Sequence, residues 1–209
     1  MIGRATKRAV ALVVLVVLVA AGCDYKGSSG PRVALFGDSI SAQSAGQLEN
    51  QFVRQHRYLQ WSVDGYTIAD QFDPIALLMS EGPVPDVMVV ELGTNDAQKN
   101  RSSSQMAADI RTVLRRVAAV PCVLWLNVKT SGVNPFYAGV VANAGRFNRV
   151  LARTVAEFGN ARVVDYASWG AANPEAYSAD GLHFSSDQSP SGRWAYANWL
   201  ATTVVPAGC

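Results

Sequence analysis

The sequence contains little charge, little histidine and little cysteine. Asp, Glu, Lys and Arg together make up 16% of the 209 residues, and the chain has only 2 His and 3 Cys. Arg4, Lys7 and Arg8 lie in an N-terminal segment that we expect to be removed, which leaves 15 of the 18 basic residues against 16 acidic ones. A near-neutral domain without a Lys- or Arg-rich stripe offers no electrostatic basis for nucleic-acid binding.

The shortage of histidine and cysteine also argues against a metal site. Asp38, Asp96, Asp180 and His183 are conceivable ligands, but no second histidine or cysteine is suitably placed to complete such a cluster. The chain has no internal repeat and no interior linker, and its length suits one domain with a full core. We therefore look for one functional site and expect no metal in it.

The N-terminus has the pattern of an export signal. Basic residues are followed by an apolar run from Ala9 to Gly22 and then by Cys23. Because a transmembrane helix needs about 18 to 20 apolar residues, this run predicts a cleaved signal peptide over residues 1–22 rather than a permanent anchor. Ala20-Ala21-Gly22-Cys23 resembles the lipobox of bacterial lipoproteins, in which the cysteine becomes the lipidated N-terminus. The alternative is a secreted protein that is cut near the same place.

We therefore expect an exported protein, at the outer face of the cell membrane or in the cell envelope, that is either lipid-anchored at Cys23 or secreted. Residues 23–31 are polar and glycine-rich, as expected of a tether. The globular domain is predicted over residues 32–209.

Strands and helices alternate along this domain. Four apolar runs are rich in β-branched residues, as in strands buried on both faces of a parallel sheet, and Trp61–Val63 is a shorter candidate strand. The four runs are Val33–Phe36, Val87–Leu92, Cys122–Val128 and Arg162–Asp165. Helical spacing is found at Ser41–Arg57, Ala69–Ser80, from Ser103 or Ser104 to Val117, at Phe147–Phe158 and at Gln188–Val204. The alternation predicts a three-layer α/β/α, flavodoxin-like domain with a mostly parallel sheet of about five strands.

Three polar segments are expected at one edge of this sheet. Ligands of such folds bind at the carboxyl ends of the strands. Gly37-Asp38-Ser39 leaves the first strand, and Leu92–Asp96 leaves another. Asp180–His183 lies in the long loop before the last helix and can reach the same edge.

Ser39 is a candidate nucleophile, because a histidine that a carboxylate supports can activate a serine hydroxyl. Taken alone, Gly-Asp-Ser also fits an ordinary turn, and a serine after a strand is often a helix N-cap. His56 is near the far end of the first helix, where we expect a solvated surface position. His183 is then the candidate base, and in a loop Asp180 can turn back onto its ring. Asp180-Gly181 also fits a simple turn.

Taken together, these segments resemble the SGNH/GDSL hydrolase superfamily, and the resemblance covers nearly all of the mature region. Four blocks of that superfamily occur in order, and Ile40 stands where the family name has Leu. The blocks are Gly37-Asp38-Ser39-Ile40, Gly65-Tyr66-Thr67, Gly93-Thr94-Asn95-Asp96 and Asp180-Gly181-Leu182-His183. Any one block is common, whereas four in order at the expected strand ends are a specific signal.

The resemblance implies a serine esterase that acts through an acyl-serine intermediate and needs no cofactor. It makes Ser39 the nucleophile, with Asp180 and His183 completing the triad. It also implies that the N–H groups of Ser39 and Gly65 and the amide of Asn95 donate hydrogen bonds to the oxyanion. The expected substrate is a small-molecule or glycan-linked acyl ester, and we expect a monomer.

Two rival functions stay open. Asn127-Val128-Lys129-Thr130 and the Asp180–His183 block are similar to SGNH domains attached to membrane acyltransferases, which favours an O-acyltransferase or deacylase acting on cell-envelope glycans. A catalytically silent glycan-binding lipoprotein is a different class. In either case Asp38 and Asp96 are expected to support the loops by accepting backbone N–H bonds rather than to act as catalytic acids.

Two further expectations concern the loops and the thiols. Aromatic side chains in loops that border the site are candidates for substrate contact: Phe136, Tyr137, Trp169 and Tyr177. Cys122 begins a strand at the edge opposite the site, and the final helix runs back toward that edge. A disulfide between Cys122 and Cys209 is therefore predicted, because an exported protein would oxidise two thiols that meet.

Overall fold

The core of the fold is a five-stranded parallel sheet in the order β2-β1-β3-β4-β5. The computed structural model describes residues 24–27, 29–186 and 192–209, so the predicted signal peptide and Cys23 lie outside the described residues. The strands are β1 Arg32–Gly37, β2 Arg57–Ser62, β3 Val87–Glu91, β4 Cys122–Leu126 and β5 Ala161–Val164. The predicted three-layer α/β/α class is confirmed.

Apolar, β-branched sequences form the central strands because both faces of the sheet are covered by helices. All five residues of β4 are buried, and so are five of the six residues of β1. Helix packing divides into two layers: α2 contacts α8 on one side, whereas α3, α5 and α6 pack in sequence on the other. Strands that are buried on both faces have no polar alternation, and this made the central strands β1, β3 and β4 recognisable. β5 lies at the edge of the sheet and only its last residue is buried, but its adjacent valines, Val163 and Val164, still marked it as a strand.

The prediction for β2 was wrong in its position. The strand spans Arg57–Ser62 rather than Trp61–Val63, and the predicted helix Ser41–Arg57 ends earlier. In its place are two short helices, Ser39–Ala42 and Ala45–Phe52. The strand lies at the edge of the sheet and only Tyr58 is fully buried, so its sequence lacks the continuous apolar run of the central strands.

The helices lie between the strands, as the alternation predicted. They are α1 Ser39–Ala42, α2 Ala45–Phe52, α3 Phe72–Glu81, α4 Thr94–Gln98, α5 Ser103–Arg116, α6 Ala138–Val155, α7 Tyr166–Ala172, α8 Gly192–Trp199 and α9 Val205–Ala207. A π-helical turn, Leu200–Val204, joins α8 to α9, and short 3-10 turns lie at Ala69–Gln71, Pro135–Tyr137 and Pro174–Ala176. No helix in the described part of the chain is long and apolar enough to cross a membrane.

The start of α5 shows how one side chain sets a helix boundary. Ser102 is the N-cap, rather than Ser103 or Ser104, and its hydroxyl accepts a hydrogen bond from the N–H of Gln105 at 3.2 Å. The side chain of Gln105 accepts in return from the N–H of Ser102 at 3.0 Å. This reciprocal capping box satisfies two N–H groups that the first helical turn would otherwise leave unpaired.

A disulfide joins the end of the chain to the sheet. The sulfurs of Cys122 and Cys209 are bonded, with their Cα atoms 5.5 Å apart. Cys122 is the first residue of β4 and pairs with Val87, the first residue of β3, so the bond lies at the amino-terminal edge of the sheet. Ser39 comes two residues after the end of β1, so it lies at the carboxyl-terminal edge of the sheet, opposite the disulfide.

Removal of this bond is expected to destabilise the protein without changing the site. The cysteines are 87 positions apart, so the chain-entropy model gives a loss of about 4 to 5 kcal/mol in the free energy of unfolding. Cys122→Ala, Cys209→Ala and the double variant should lose similar amounts in urea titrations, because each removes the same bond. Two free thiols in mass spectra of the non-reduced native protein would contradict the assignment.

Candidate active site

The nucleophile turn begins where β1 ends. Asp38, and not Ser39, caps helix α1: one carboxylate oxygen of Asp38 accepts a hydrogen bond from the N–H of Ile40 at 3.1 Å. Ser39 is the first residue of the helix, so its hydroxyl is not used as a cap. Gly37 is needed before this turn, because a Cβ there would lie 2.7 Å from the side chain of Ser41.

Ser39, His183 and Asp180 form one continuous chain of hydrogen bonds. The Oγ atom of Ser39 is 2.9 Å from Nε2 of His183, and Nδ1 of His183 is 2.7 Å from Oδ2 of Asp180. The side chains of His183 and Asp180 are 16% and 30% exposed, so substrate can reach them. This is the arrangement of a nucleophile, a base and an orienting carboxylate.

Asp180 is held by a tight turn in addition to its contact with His183. Oδ1 of Asp180 accepts hydrogen bonds from the N–H groups of Leu182 and His183, both at 2.9 Å, and from the hydroxyl of Ser178 at 2.7 Å. Burial opposes ionisation, but these bonds and the one from the His183 ring hold the pKa of Asp180 below its usual value. Asp180-Gly181 is thus a turn, and the turn is what directs the carboxylate onto the ring.

The three predicted oxyanion donors differ in their present partners. The described residues provide no hydrogen-bond acceptor for the N–H of Ser39 or of Gly65, and Gly65 has a φ of 78°, which favours glycine. Nδ2 of Asn95, in contrast, donates to Oδ2 of Asp38 at 3.1 Å and to the carbonyl of Tyr66 at 3.0 Å. Donation from Asn95 to an oxyanion therefore requires that one of these two bonds be exchanged.

Asp38 and Asp96 both lie where a backbone N–H needs an acceptor, as the sequence predicted. Oδ2 of Asp96 accepts from the N–H of Ile68 at 3.1 Å, and Nε of Arg101 is 3.2 Å from Oδ1. Both carboxyl groups are fully buried. Burial raises the pKa of Asp38 to about 7 and that of Asp96 to about 6.

Glu91 is a site residue that the sequence analysis missed. Its carboxyl group is buried beneath the nucleophile turn, where Oε2 accepts from the hydroxyl of Ser41 at 2.9 Å and from the N–H groups of Ser41 and Asp38, each at 3.3 Å. Burial, and then the neighbouring Asp38, raise the pKa of Glu91 well above its usual value. A single carboxylate at the end of an otherwise apolar strand, Val87–Glu91, was the available signal.

The predicted substrate-contact residues divide into two pairs. Phe136 is 81% exposed and packs edge-on against Tyr137, whose ring lies 5.9 Å from that of His183. The hydroxyl of Tyr137 is 3.4 Å from Asp180, to which it donates. Tyr177 is buried, and Trp169 stacks on Trp199 within the aromatic core.

The expectation for His56 was wrong, although His56 is not the base. Its ring is buried rather than solvated, with its centre 5.7 Å from that of the Phe52 ring, and burial lowers the pKa of His56.

Among the described residues, no group of three or more His, Cys, Asp or Glu is placed to hold a metal ion.

Comparisons with known proteins show the family and the fold of the chain. The model of the GDSL-like lipase/acylhydrolase family matches residues 35–188. No curated protein sequence matches the chain. Solved structures that share its fold include the catalytic domain of peptidoglycan O-acetyltransferase A from Streptococcus pneumoniae, a lipase/acylhydrolase from Enterococcus faecalis and a GDSL-like lipase from Bacteroides thetaiotaomicron.

These three structures cover almost the whole domain at low sequence identity. The S. pneumoniae domain is 17% identical, with a TM-score of 0.63, over 86% of this chain and 96% of its own. The E. faecalis protein is 19% identical, with a TM-score of 0.65, over 86% and 97%. The B. thetaiotaomicron protein is 17% identical, with a TM-score of 0.62, over 85% and 88%. At these identities the likeness concerns the fold.

Glu91→Gln is expected to be tolerated, because an amide oxygen can accept the hydrogen bonds from Ser41 and from the N–H of Asp38 that Oε2 of Glu91 accepts in the wild type. The raised pKa of Glu91 means that the unfolded chain loses this proton first as the pH rises above the ordinary value of 4.5. Wild-type stability therefore falls with rising pH through that window, by up to about 1.4 kcal/mol per pH unit.

The glutamine variant does not titrate at this position, so its stability relative to the wild type should rise as the pH rises above the ordinary value of 4.5. Urea titrations of both proteins at several pH values measure this difference. Glu91→Leu is the matched apolar control, and it should destabilise at every pH because it leaves the buried donors of the turn unpaired. A pH-independent difference between Glu91→Gln and the wild type would show that Glu91 is ionised in the fold.

Proposed function

Because the chain belongs to the GDSL-like lipase/acylhydrolase family, we propose that it is a serine hydrolase that cleaves an ester-linked acyl group through an acyl-Ser39 intermediate. The observation that supports this most directly is the hydrogen-bonded chain from Ser39 through His183 to Asp180. Each link has the distance and the atom pairing that nucleophilic catalysis requires. The reaction uses no cofactor.

The triad accounts for both halves of the reaction. Nε2 of His183 takes the hydroxyl proton as Oγ of Ser39 bonds to the carbonyl carbon, and Asp180 stabilises the imidazolium that forms. His183 then gives that proton to the departing alcohol, which leaves the acyl group on Ser39. In the second half, His183 removes a proton from water, the hydroxide adds to the acyl carbon, and the proton returns to Ser39 as the carboxylic acid departs.

We assign the stabilisation of the charge that develops on the carbonyl oxygen to three hydrogen-bond donors. The N–H groups of Ser39 and Gly65 have no internal acceptor among the described residues, so they are available without a conformational change. Asn95 supplies a third donor once its bond to Asp38 or to Tyr66 is exchanged, and such bonds often tighten only in the transition state. A donor of this kind is worth about 3 to 4 kcal/mol.

Transfer to a glycan, or removal of an acyl group from one, is the second candidate function. The alcohol that leaves, or the acceptor that replaces water, must lie beside Nε2 of His183, because that atom handles its proton. The exposed ring of Phe136 lies on this side of the site, because it packs against Tyr137, whose ring in turn contacts that of His183. An exposed aromatic ring offers a flat apolar surface on which a sugar ring can stack.

We also propose export, with residues 1–22 as the signal peptide and Cys23 as a lipidation site. Support comes from the sequence pattern and from the disulfide, since disulfides persist in oxidising compartments outside the cytosol. The catalytic domain, over residues 32–209, is expected to act as a monomer at the outer face of the membrane or in the envelope.

A fluorophosphonate probe and a series of p-nitrophenyl esters of graded chain length test the main proposal. The probe should label Ser39, and Ser39→Ala should lose labelling and hydrolyse esters at least ~10³-fold more slowly while staying folded. Ser80→Ala, an exposed serine on α3, is the matched control and should behave as the wild type. Retention of more than about a tenth of the wild-type rate in Ser39→Ala would refute the assignment, and the silent-binder alternative requires that the wild type is not labelled.

The glycan alternative is tested with a sugar acceptor present during ester turnover. If acyl transfer is the function, product should be divided between acylated sugar and free acid. Phe136→Ala should then raise the KM for the acceptor about 2- to 10-fold, because ring contacts of this kind contribute about 0.5 to 1.5 kcal/mol. Hydrolysis of p-nitrophenyl acetate without acceptor should be much less affected. Leu77→Ala, a similar loss of exposed apolar area on α3, is the control, and equal effects of the two variants would reject a specific part for Phe136.

A further inference from the structure

Lys129 is a buried cation next to the catalytic loop. It lies three residues beyond the end of β4 and is only 4% exposed, which is rare for lysine. The other lysines in the described part of the chain, Lys26 and Lys99, both make exposed contacts. A buried ammonium group needs partners that replace its hydration, so the identity of those partners indicates why the charge is there.

The ammonium group of Lys129 binds two loops at once. Nζ donates to the carbonyl of Ser131 at 2.5 Å and to the carbonyl of Gly181 at 2.9 Å. Gly181 lies between Asp180 and His183 in the turn that directs the carboxylate onto the imidazole. Lys129 therefore holds the backbone of the catalytic turn itself.

The two loops fit closely where Lys129 joins them. The N–H of Asn134 donates to the carbonyl of Asp180 at 2.9 Å. Gly181 has a φ of 65°, and a Cβ at that position would lie only 1.8 Å from the carbonyl oxygen of Gly132. The turn can adopt its present position only against the loop that follows β4, and Lys129 supplies a charged hydrogen bond across that junction.

The surroundings of Lys129 are aromatic and acidic. Nζ lies 4.2 Å from the centre of the Tyr177 ring, a cation–π contact. The titratable groups that act on it are Tyr177, through this ring contact, and Asp180 on the catalytic loop, through its charge. Burial lowers the pKa of Lys129, and the charge of Asp180 opposes this effect.

We propose that Lys129 is a positioning residue for Asp180 and His183: its ammonium group fixes the carbonyl of Gly181, and its positive charge lies beside the carboxylate that supports the base. The proposal rests on the proposed serine-hydrolase function. Without the clamp the catalytic turn moves relative to Ser39, and without the charge Asp180 pairs more strongly with a protonated His183. The variant base then keeps its proton to a higher pH.

Lys129→Met, which keeps length but removes the charge, is the primary test. We expect kcat for p-nitrophenyl acetate to fall by about 10²-fold, as for a small displacement of a catalytic group, with KM changed by less than about threefold. The acid limb of the pH profile of kcat/KM should move to higher pH. Lys26→Met, the loss of an exposed lysine that precedes β1 and pairs with Glu49, should change none of these quantities.

Lys129→Gln separates the clamp from the charge and covers the case in which the methionine variant does not fold. Its amide can still donate to a carbonyl, so kcat should recover in part, while the acid limb stays displaced. A wild-type kcat and acid limb in folded Lys129→Gln would overturn the proposal, as would a loss in Lys129→Met that follows only the folded fraction.

A measurement without substrate distinguishes this proposal from the proposed function. The proton between His183 and Asp180 should give a far-downfield 1H signal in the wild type, and this signal should shift or broaden in both Lys129 variants. If the wild type is neither labelled by fluorophosphonate nor active on esters, the function fails. If it is labelled and active but the signal is unchanged in the variants, only the part assigned to Lys129 fails.

Discussion

Removing the carboxyl group of Glu91 from water costs free energy unless hydrogen bonds replace its hydration, and the nucleophile turn is built around that requirement. The donors that satisfy Glu91 come from the backbone of Asp38, just before Ser39, and from Ser41, two positions after it. Asp38 in turn accepts from Asn95. The serine and the proposed oxyanion amide are therefore fixed by one buried polar network, and a change at any member is transmitted to the others.

The site keeps carboxyl groups in two opposite environments. Asp180 is partly exposed and receives five hydrogen bonds, so it is stabilised as an anion beside the proposed base. Glu91 and Asp38 are buried together, and burial raises the pKa of both; the charge of Asp38 raises the pKa of Glu91 further. One carboxylate is thus charged beside the proposed base, while the others, whose raised pKa values favour the protonated form, support the turn that carries Ser39. The charged carboxylate and the carboxyl groups that support the turn are therefore different residues.

Sequence patterns predicted the parts of the molecule that depend on chain-local signals. The central strands, the residues at their carboxyl ends and the order of the four sequence blocks were visible because burial on both faces produces continuous apolar runs. The position of β2 was missed because an edge strand is half exposed and its sequence is mixed. His56 was misjudged because its neighbours in the sequence are polar, although its ring is buried against Phe52. Glu91 and Lys129 were missed for a different reason: a polar side chain is expected to be exposed unless its partners are known, and their partners are distant in sequence. The partners of Glu91 are about 50 positions away, as is the carbonyl that Lys129 binds in the catalytic turn.

The disulfide divides the chain into two covalent regions of different topology. Everything from Cys122 to Cys209, including Lys129, Asp180 and His183, belongs to a closed ring, whereas Ser39, Gly65 and Asn95 lie on the open segment that precedes it. A protease that cuts one exposed peptide bond inside the ring releases no fragment, because the two new ends remain joined through sulfur. A cut between Ser39 and Cys122 leaves Ser39 without a covalent connection to His183. Where proteases are present, a single cut between Cys122 and Cys209 therefore does not break the molecule apart.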